Sequence, residues 1–247
     1  MRLQGKTAIV TGAGSGFGAG IARRFAAEGA KVIVADINAE AAKAVAEEIG
    51  GLAQGVDVGS AASVEALAAV AREAFGGVPD IIVNNAGVTH LPSFMEDISE
   101  EDFDRVVRVN QKSVFLMAKA FVGGMKERGS GAILNVASTG GVSPRPRLSW
   151  YNSTKGWMIT ATRAMAVELA PFGVRVNAIN PVAGETPLLK SFMGEDTAEI
   201  RAKFLSTIPI GRFSTPEDMA NAALFLCSDE ASMVTGVAME VDGGRCI

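Results

Sequence analysis

The 247-residue chain is 48% hydrophobic and 20% charged with 28 glycines, which is enough apolar material for one continuous core and excludes a disordered protein. A net charge of −4 and a pI near 5.2 leave no global attraction for polyphosphate, so nucleic acid is not an expected partner. Two cysteines, Cys227 and Cys246, and one histidine, His90, are too few for a disulfide scaffold, a thiolate metal site or a His-rich one.

At the N-terminus, Met1-Arg2-Leu3-Gln4-Gly5-Lys6 leads straight into a strand-like run without an apolar signal region. No stretch of 18 or more apolar residues follows, so a cytoplasmic protein with no membrane partner is expected. β-Branched runs then alternate with Ala-rich amphipathic stretches, the pattern of repeated βαβ units. Seven strands are predicted, at Thr7–Val10, Lys31–Ala35, Leu52–Val56, Asp80–Val83, Ala132–Val136, Val174–Ile179 and Val237–Val241. Between them, Ile21/Phe25, Val45/Ile49 and Val64/Leu67/Ala71 recur at helical spacing and give each helix one apolar face. Ser99, with Asp102 three positions on, opens a long helix through Phe103, Val106 and Val107. Thr215-Pro216 opens another, with Thr215 as N-cap and Pro216 as first helical residue. The expected fold class is α/β: a seven-stranded parallel sheet with helices on both faces, in one domain spanning residues 1–247. Residues 182–213 hold no strand and carry Gly184, Pro187, Gly194, Pro209 and Gly211, which reads as a substrate lid.

Thr11-Gly12-Ala13-Gly14-Ser15-Gly16-Phe17-Gly18 joins the first strand to the first helix, so backbone N–H groups and the helix N-terminus can face a pyrophosphate. Taken alone, such a string also reads as a flexible turn. Asp36 adds context: it lies 20 positions after Gly16, at the end of the second strand, where a carboxylate can accept hydrogen bonds from the adenosine ribose. A 2′-phosphate beside it would bring like charges together, costing up to about 4 kcal/mol per charge pair at 4 Å and an effective dielectric of 20. Neither Ser15 nor Ile37 supplies a cation to reverse that preference. The expected cofactor is NAD rather than NADP, with Gly12, Ser15, Gly16, Phe17, Gly18, Asp36 and Ile37 as contacts.

Tyr151, the only tyrosine, and Lys155 stand four positions apart at the start of an apparent helix, on one face and a turn apart. A unit charge at about 4–5 Å and effective dielectric 20 is worth roughly 3–4 kcal/mol, enough to bring a phenol from a pKa of about 10 towards 7–8 and make it a general acid–base. An ordinary helix carrying a Tyr and a Lys is the alternative for an arbitrary pair. Here Ser138, just past the fifth strand, brings a third group to the same sheet edge.

At these residues the sequence resembles the short-chain dehydrogenase/reductase family in its compact single-domain form, which implies that the α/β fold is a doubly wound Rossmann fold, and the resemblance spans nearly the whole chain. The family's Thr-Gly-x-x-x-Gly-x-Gly loop matches Thr11, Gly12, Gly16 and Gly18, followed by Asp36. The resemblance implies that Asp57-Val58 holds the adenine. It places Asn84, Ala86 and Gly87, from Asn84-Asn85-Ala86-Gly87, against the cofactor, and it makes Asn110 the helix asparagine of a water-linked proton relay. It also implies that Tyr151 donates or accepts the proton, that Ser138 orients the carbonyl, and that Lys155 lowers the tyrosine pKa and binds the nicotinamide ribose. Pro181, Gly184 and Thr186 are implied cofactor contacts, Thr186 at the nicotinamide carboxamide. Two departures stand out. Asn180-Pro181-Val182 replaces the family's Pro-Gly and implies a narrower pocket floor, and Phe172 stands where carrier-protein-dependent ketoacyl reductases often have an arginine.

The expected function is NAD-dependent interconversion of a secondary alcohol and a ketone, acting on a small-molecule carbonyl or alcohol, and the resemblance implies a homotetramer assembled through the Tyr151 helix and the last strand. The alternatives are a 3-oxoacyl-(acyl-carrier-protein) reductase, which Asp36 and Phe172 count against, and a catalytically silent dinucleotide-binding sensor or scaffold. For His90 a surface loop is favoured over the pocket mouth. For Arg145 and Arg147 a solvated or subunit-facing pair is favoured over attraction of an anionic substrate. Val182, Leu188, Leu189, Phe192 and Met193 surround the expected lid and suggest a mainly apolar substrate, with room for an acidic group far from the reacting carbon; for Phe192, Met193 and Phe204, burial without substrate contact is an equal alternative.

Overall fold

Alternation along the strands decides how the sheet is covered. In the computed structural model, which describes residues 1–247, Ala8 and Val10, Val32 and Val34, and Ile81 and Val83 face one layer of helices, while Ile9, Ile33 and Ile82 face the other. The strands are β1 (Thr7–Thr11), β2 (Lys31–Asp36), β3 (Leu52–Gly55), β4 (Ile81–Asn84), β5 (Gly131–Val136), β6 (Val174–Pro181) and β7 (Ala238–Val241). All neighbouring pairs are parallel and the order is β3-β2-β1-β4-β5-β6-β7. The sequence places all seven strands to within a residue or two at each end.

Helices α1 (Gly16–Ala27), α2 (Ala39–Ile49) and α9 (Pro216–Cys227) close the first face through Ile21, Phe25, Val45 and Met219. Helices α3 (Ala61–Phe75), α5 (Ser113–Arg128) and α6 (Ser149–Leu169) close the second through Leu67, Phe121 and Leu169. Thr215 caps α9 as its sequence predicts, in a full capping box with Asp218. The helix opened by Ser99 departs from expectation. Ser99 Oγ accepts from the Asp102 N–H, but α4 (Glu100–Val107) passes into a π-turn at Arg108–Lys112 before α5 begins. Between β6 and α9, residues 182–213 form two short helices, α7 (Leu189–Met193) and α8 (Ala198–Leu205). Val182, Leu189, Met193, Ile208 and Phe213 give this segment its own small core. No helix is long and apolar enough to cross a membrane.

The chain runs outward through β2 and β3 on one side of β1 and through β4 to β7 on the other. That reversal between β1 and β4 leaves a crevice at the carboxyl ends of the strands, where the loops diverge.

Candidate active site

A cleft of about 440 Å³ occupies that crevice, lined from the ends of β1, β2, β3, β4, β5 and β6 by residues that include Gly12, Asp36, Val56, Asn85, Ser138 and Pro181. At one end, α1 begins with no acidic residue in its first turn, and Ser15 at its N-cap makes no side-chain cap bond, so the positive end of the helix faces the cleft uncompensated. The loop needs its glycines for two reasons. Gly16 has φ of 54°, in the left-handed region. A Cβ on Gly18 would stand 2.2 Å from the Gly12 carbonyl oxygen and 2.4 Å from Asn85 Nδ2. Asp36 accepts at 2.9 Å from the Gly14 N–H through one oxygen and at 2.9 Å from the Asn38 N–H through the other, which fixes its carboxylate at the cleft rim. Ser15, Gly16, Phe17, Ile37, Asp57, Val58, Ala86 and Gly87 line the same stretch. Uncompensated N–H groups beside a fixed carboxylate, on a loop whose close packing only glycine allows, together fit a dinucleotide.

Two predicted contacts are placed elsewhere. Asn84 is the last residue of β4 and turns its amide sideways along the sheet, donating to Asn135 Oδ1 at 2.9 Å; Asn135 in turn donates to Thr162 at 2.8 Å. Its neighbour Asn85 lines the cleft instead and donates to the carbonyl oxygens of Thr11 and Gly12 at 2.8 and 3.0 Å, while the Asn85 and Ala86 N–H groups both donate to Thr11 Oγ1 at 3.1 Å. Gly18 packs behind the loop and does not line the cleft. Asp57 Oδ2 accepts from Arg108 at 2.6 Å, tying the end of β3 to the first residue of the π-turn; this contact, with the Gly59 N–H, holds the Asp57 carboxyl below its ordinary value against the opposing effect of burial.

At the other end Ser138, Tyr151 and Lys155 converge on the cleft. Ser138 follows β5 and accepts from the Gly140 N–H at 3.0 Å. Tyr151 and Lys155 lie in the first two turns of α6, both buried. The Lys155 ammonium donates to the Val136 carbonyl at 2.8 Å and lies 5.8 Å from the Tyr151 ring centroid. The phenol pKa expected near 7–8 is corrected here. Burial pushes Tyr151 up to about 12, with the Ser138 hydroxyl pulling only partly back, and burial pushes Lys155 down to about 8. Asn110 sits in the π-turn behind the pair, fully buried. Its Oδ1 accepts from the Val88 N–H at 2.9 Å, and its Nδ2 donates to Val88 O at 2.9 Å and Thr154 Oγ1 at 3.0 Å. Thr154 donates to the Tyr151 carbonyl at 2.7 Å, so Asn110 reaches α6 through it. Thr154 and the π-turn carry no sequence signal of their own, whereas Asn85 was visible as the second half of an Asn-Asn pair.

Gly184, Pro181 and Thr186 line the cleft beside this end, as do Val182, Leu188, Phe192 and Phe204; Leu189 and Met193 face the segment's own core instead. Phe192 packs edge-on against Tyr151 at 5.0 Å between centroids. The two loop arginines separate. Arg145 lines the cleft, whereas Arg147, at φ of 65°, turns away and lays its guanidinium 4.7 Å over the exposed Phe94 ring. His90 is 1% exposed, not on a surface loop, and its Nδ1 contacts the Leu91 carbonyl at 2.8 Å. Phe172 lies half out of the fold under the Lys126 ammonium, 4.5 Å from its ring centroid.

The family model described as enoyl-(acyl carrier protein) reductase matches residues 12–245. A 4-formylbenzenesulfonate dehydrogenase of Comamonas testosteroni is 49% identical over 253 residues, covering 100% of both chains. Among solved structures, a 3-ketoacyl-(acyl-carrier-protein) reductase from Brucella melitensis complexed with NADH is 51% identical with a TM-score of 0.94, over 99% of this chain and 100% of that one. A 7α-hydroxysteroid dehydrogenase complexed with NADH and 7-oxo glycochenodeoxycholic acid is 41% identical with a TM-score of 0.92, over 98% of this chain and 95% of that one.

Proposed function

The chain belongs to the short-chain dehydrogenase/reductase family of oxidoreductases, and from that premise we propose that it uses NAD to interconvert a secondary alcohol and a ketone, with Tyr151 as general acid–base. The observation that carries this reading is the convergence of Ser138, Tyr151 and Lys155 on one end of a cleft whose other end carries the fixed carboxylate of Asp36. When bound, the dinucleotide accepts or delivers the hydride. Gly12, Ser15, Gly16, Phe17, Asp57, Val58, Asn85, Ala86 and Gly87 hold it, with Pro181, Gly184 and Thr186 at the reactive end. Gly18 shapes the loop, and Asn84 supports it from within the sheet. Asp36 meets the ribose hydroxyls and repels a 2′-phosphate.

The Ser138 hydroxyl donates to the substrate oxygen and orients it. The Tyr151 hydroxyl meets the same oxygen, taking the alcohol proton in oxidation and giving it to the carbonyl oxygen in reduction. Lys155 stabilises the phenolate that oxidation requires, and Asn110 anchors the π-turn behind it for a water-linked proton path. Residues 182–213 act as a lid on a single domain of residues 1–247, and the cytoplasmic homotetramer is part of the same proposal.

The Brucella structure's description favours a second reading, 3-oxoacyl thioester reduction. Asp36 disfavours the phosphorylated cofactor for that role, and the side chain of Phe172 is not itself a cation for a carrier protein, although the Lys126 ammonium lies 4.5 Å over its ring. Steady-state kinetics on ketones and acetoacetyl thioesters with NADH and NADPH separate the readings. NADH-linked ketone reduction supports the first, NADPH-linked thioester reduction the second. NADH binding without turnover on any carbonyl would mark a silent sensor.

A further inference from the structure

The substrate end of the cleft holds a cation with no counter-charge. Arg145 is the only arginine lining the cleft, and the carboxylates that line it, Asp36 and Asp57, stand at the ends of β2 and β3 on the dinucleotide side. Arg145 enters no salt bridge, and of its five N–H donors only one, on Nη2, meets a protein acceptor, Thr207 Oγ1 at 2.8 Å. Its guanidinium lies 4.4 Å from the centroid of the Phe204 ring, so α8 and Thr207, two residues past its end, brace the group on one side and leave its remaining donors to the cleft. The backbone beneath it is fixed as well, because the Arg145 carbonyl accepts from Asn152 Nδ2 at 2.8 Å, one residue beyond Tyr151.

A second cation reinforces the first. Arg245, also outside any salt bridge, is anchored on the same loop through Ser143, donating to its Oγ at 3.0 Å and its carbonyl at 3.3 Å. Burial and then the Arg245 charge hold the Arg145 pKa below its ordinary value, as happens to a guanidinium that lacks a neutralising partner. Beside the polar groups of Ser138, Tyr151 and Lys155, this end offers an apolar wall of Leu148, Val182, Leu188, Phe192 and Phe204.

We propose that Arg145 receives an anionic substituent of the substrate, a carboxylate or sulfonate, carried on an apolar or aromatic body away from the reacting carbon. The proposal rests on the reading of the cleft as a carbonyl-reducing site. The planar fork of the guanidinium pairs either oxyanion through two N–H groups while the ring and aliphatic walls take the body. Arg145 is thereby a specificity-determining residue, bringing charge to a pocket whose walls select only for apolar shape.

Four ketones test it with NADH: acetophenone and 4-acetylbenzamide as neutral probes, 4-acetylbenzoate and 4-acetylbenzenesulfonate as anionic ones. In the wild type, kcat/KM for an anionic probe is expected to exceed that of the neutral probes by about 10–100-fold, the range of a charge-assisted hydrogen bond. In Arg145→Met the ratio falls to within a few-fold of one, and Arg145→Lys restores part of it. The benzoate and sulfonate arms show which oxyanion fits. Calorimetric binding of the unreactive 4-methylbenzoate and 4-toluenesulfonate to wild type and Arg145→Met provides a readout independent of turnover. Arginine-dependent binding without reduction of any ketone keeps the anion site and overturns the carbonyl-reduction reading. Equal kcat/KM for neutral and anionic ketones, or anion binding unchanged in Arg145→Met, overturns the anion site.

Discussion

The Nζ of Lys155 donates to the Val136 carbonyl at the end of β5 and stands 5.8 Å from the Tyr151 ring centroid, so the lysine is held to the sheet as firmly as it faces the tyrosine. Burial makes this position costly for a charge. The Lys155 pKa is pushed down to about 8 from 10.5, so at pH 7 the group is protonated in both folded and unfolded chains and the folded state carries the full penalty. As pH rises past 8 the folded lysine loses its proton first, and by about 10.5 the penalty has vanished. Lys155→Met is therefore expected to stabilise the cofactor-free protein at pH 7 by about 1–3 kcal/mol, less at pH 9.5, while abolishing turnover. Denaturant unfolding of both proteins at the two pH values checks this; an equal effect at both would show that the charge is not the cause.

Tyr151→Phe removes the proposed proton carrier and keeps the ring against Phe192. Turnover should drop by about 10²–10⁴, the scale of lost acid–base assistance, while NADH affinity stays within a few-fold. Burial pushes the phenol of the cofactor-free protein up to about 12, so its hydroxyl carries its proton at pH 7. Fluorescence titration with NADH and steady-state turnover decide the matter, and near-normal turnover in the mutant would remove Tyr151 from the chemistry.

Asp36→Ala should relax cofactor choice. In the wild type both carboxylate oxygens are held by backbone N–H groups, so the charge cannot swing away from an incoming 2′-phosphate. Removing it is expected to raise kcat/KM with NADPH relative to NADH by about 10-fold or more, a modest share of the roughly 4 kcal/mol that a like-charge pair at 4 Å carries at effective dielectric 20. A wild-type preference for NADPH in the same assay would sink the argument.

Assembly gives a further test. Phe115 on α5 and Trp157 and Val167 on α6 are exposed at 56%, 39% and 79%, and β7 ends the sheet with an open edge. Half-buried Ala161 and Met165 and exposed Ala164 lie on the same helix as Tyr151. A homotetramer covering these surfaces is the expected state at micromolar concentration by light scattering. A mass near that of a single 25.6 kDa chain would overturn it.

The sheet and the Tyr151–Lys155 helix were legible because alternation and four-residue spacing are local signals that burial then reinforces. The side-chain directions at loop positions were not. Asn84 and Asn85 look equivalent in sequence, yet one still obeys the strand's alternation and points along the sheet, while the other has left the strand and turns back to the Gly12 carbonyl. Arg145 and Arg147 differ by two positions, but the left-handed backbone at Arg147 sends its side chain to Phe94 rather than into the cleft. The π-turn holding Asn110 arises from tertiary contacts, among them Asn110 with Val88 and Arg108 with Asp57, which no residue pattern in α4 announces. The titration of Tyr151 is hidden from the sequence in the same way: spacing reports the neighbouring lysine, and only the packed structure reports the burial that raises the phenol.

Phe192 bears most directly on what the cleft accepts. Its ring stands edge-on to the ring of Tyr151 at 5.0 Å, and Val182 and Leu188 extend the apolar wall. A ketone or alcohol with an apolar body gains about 25 cal/mol for each Å² buried there, whereas a polyol would lose its water contacts to walls that return few hydrogen bonds. Apolar ketones and their alcohols should therefore exceed sugars and polyols in kcat/KM. Phe192→Ala should lower kcat/KM for an aromatic ketone by about 10–100-fold, the equivalent of 1.5–3 kcal/mol of lost burial, and change that for a polyol far less. A substrate panel run on both proteins measures the two effects together. Sugars ahead of apolar ketones in the wild type, or an equal loss for both classes in the mutant, would show that the wall does not select for the substrate body.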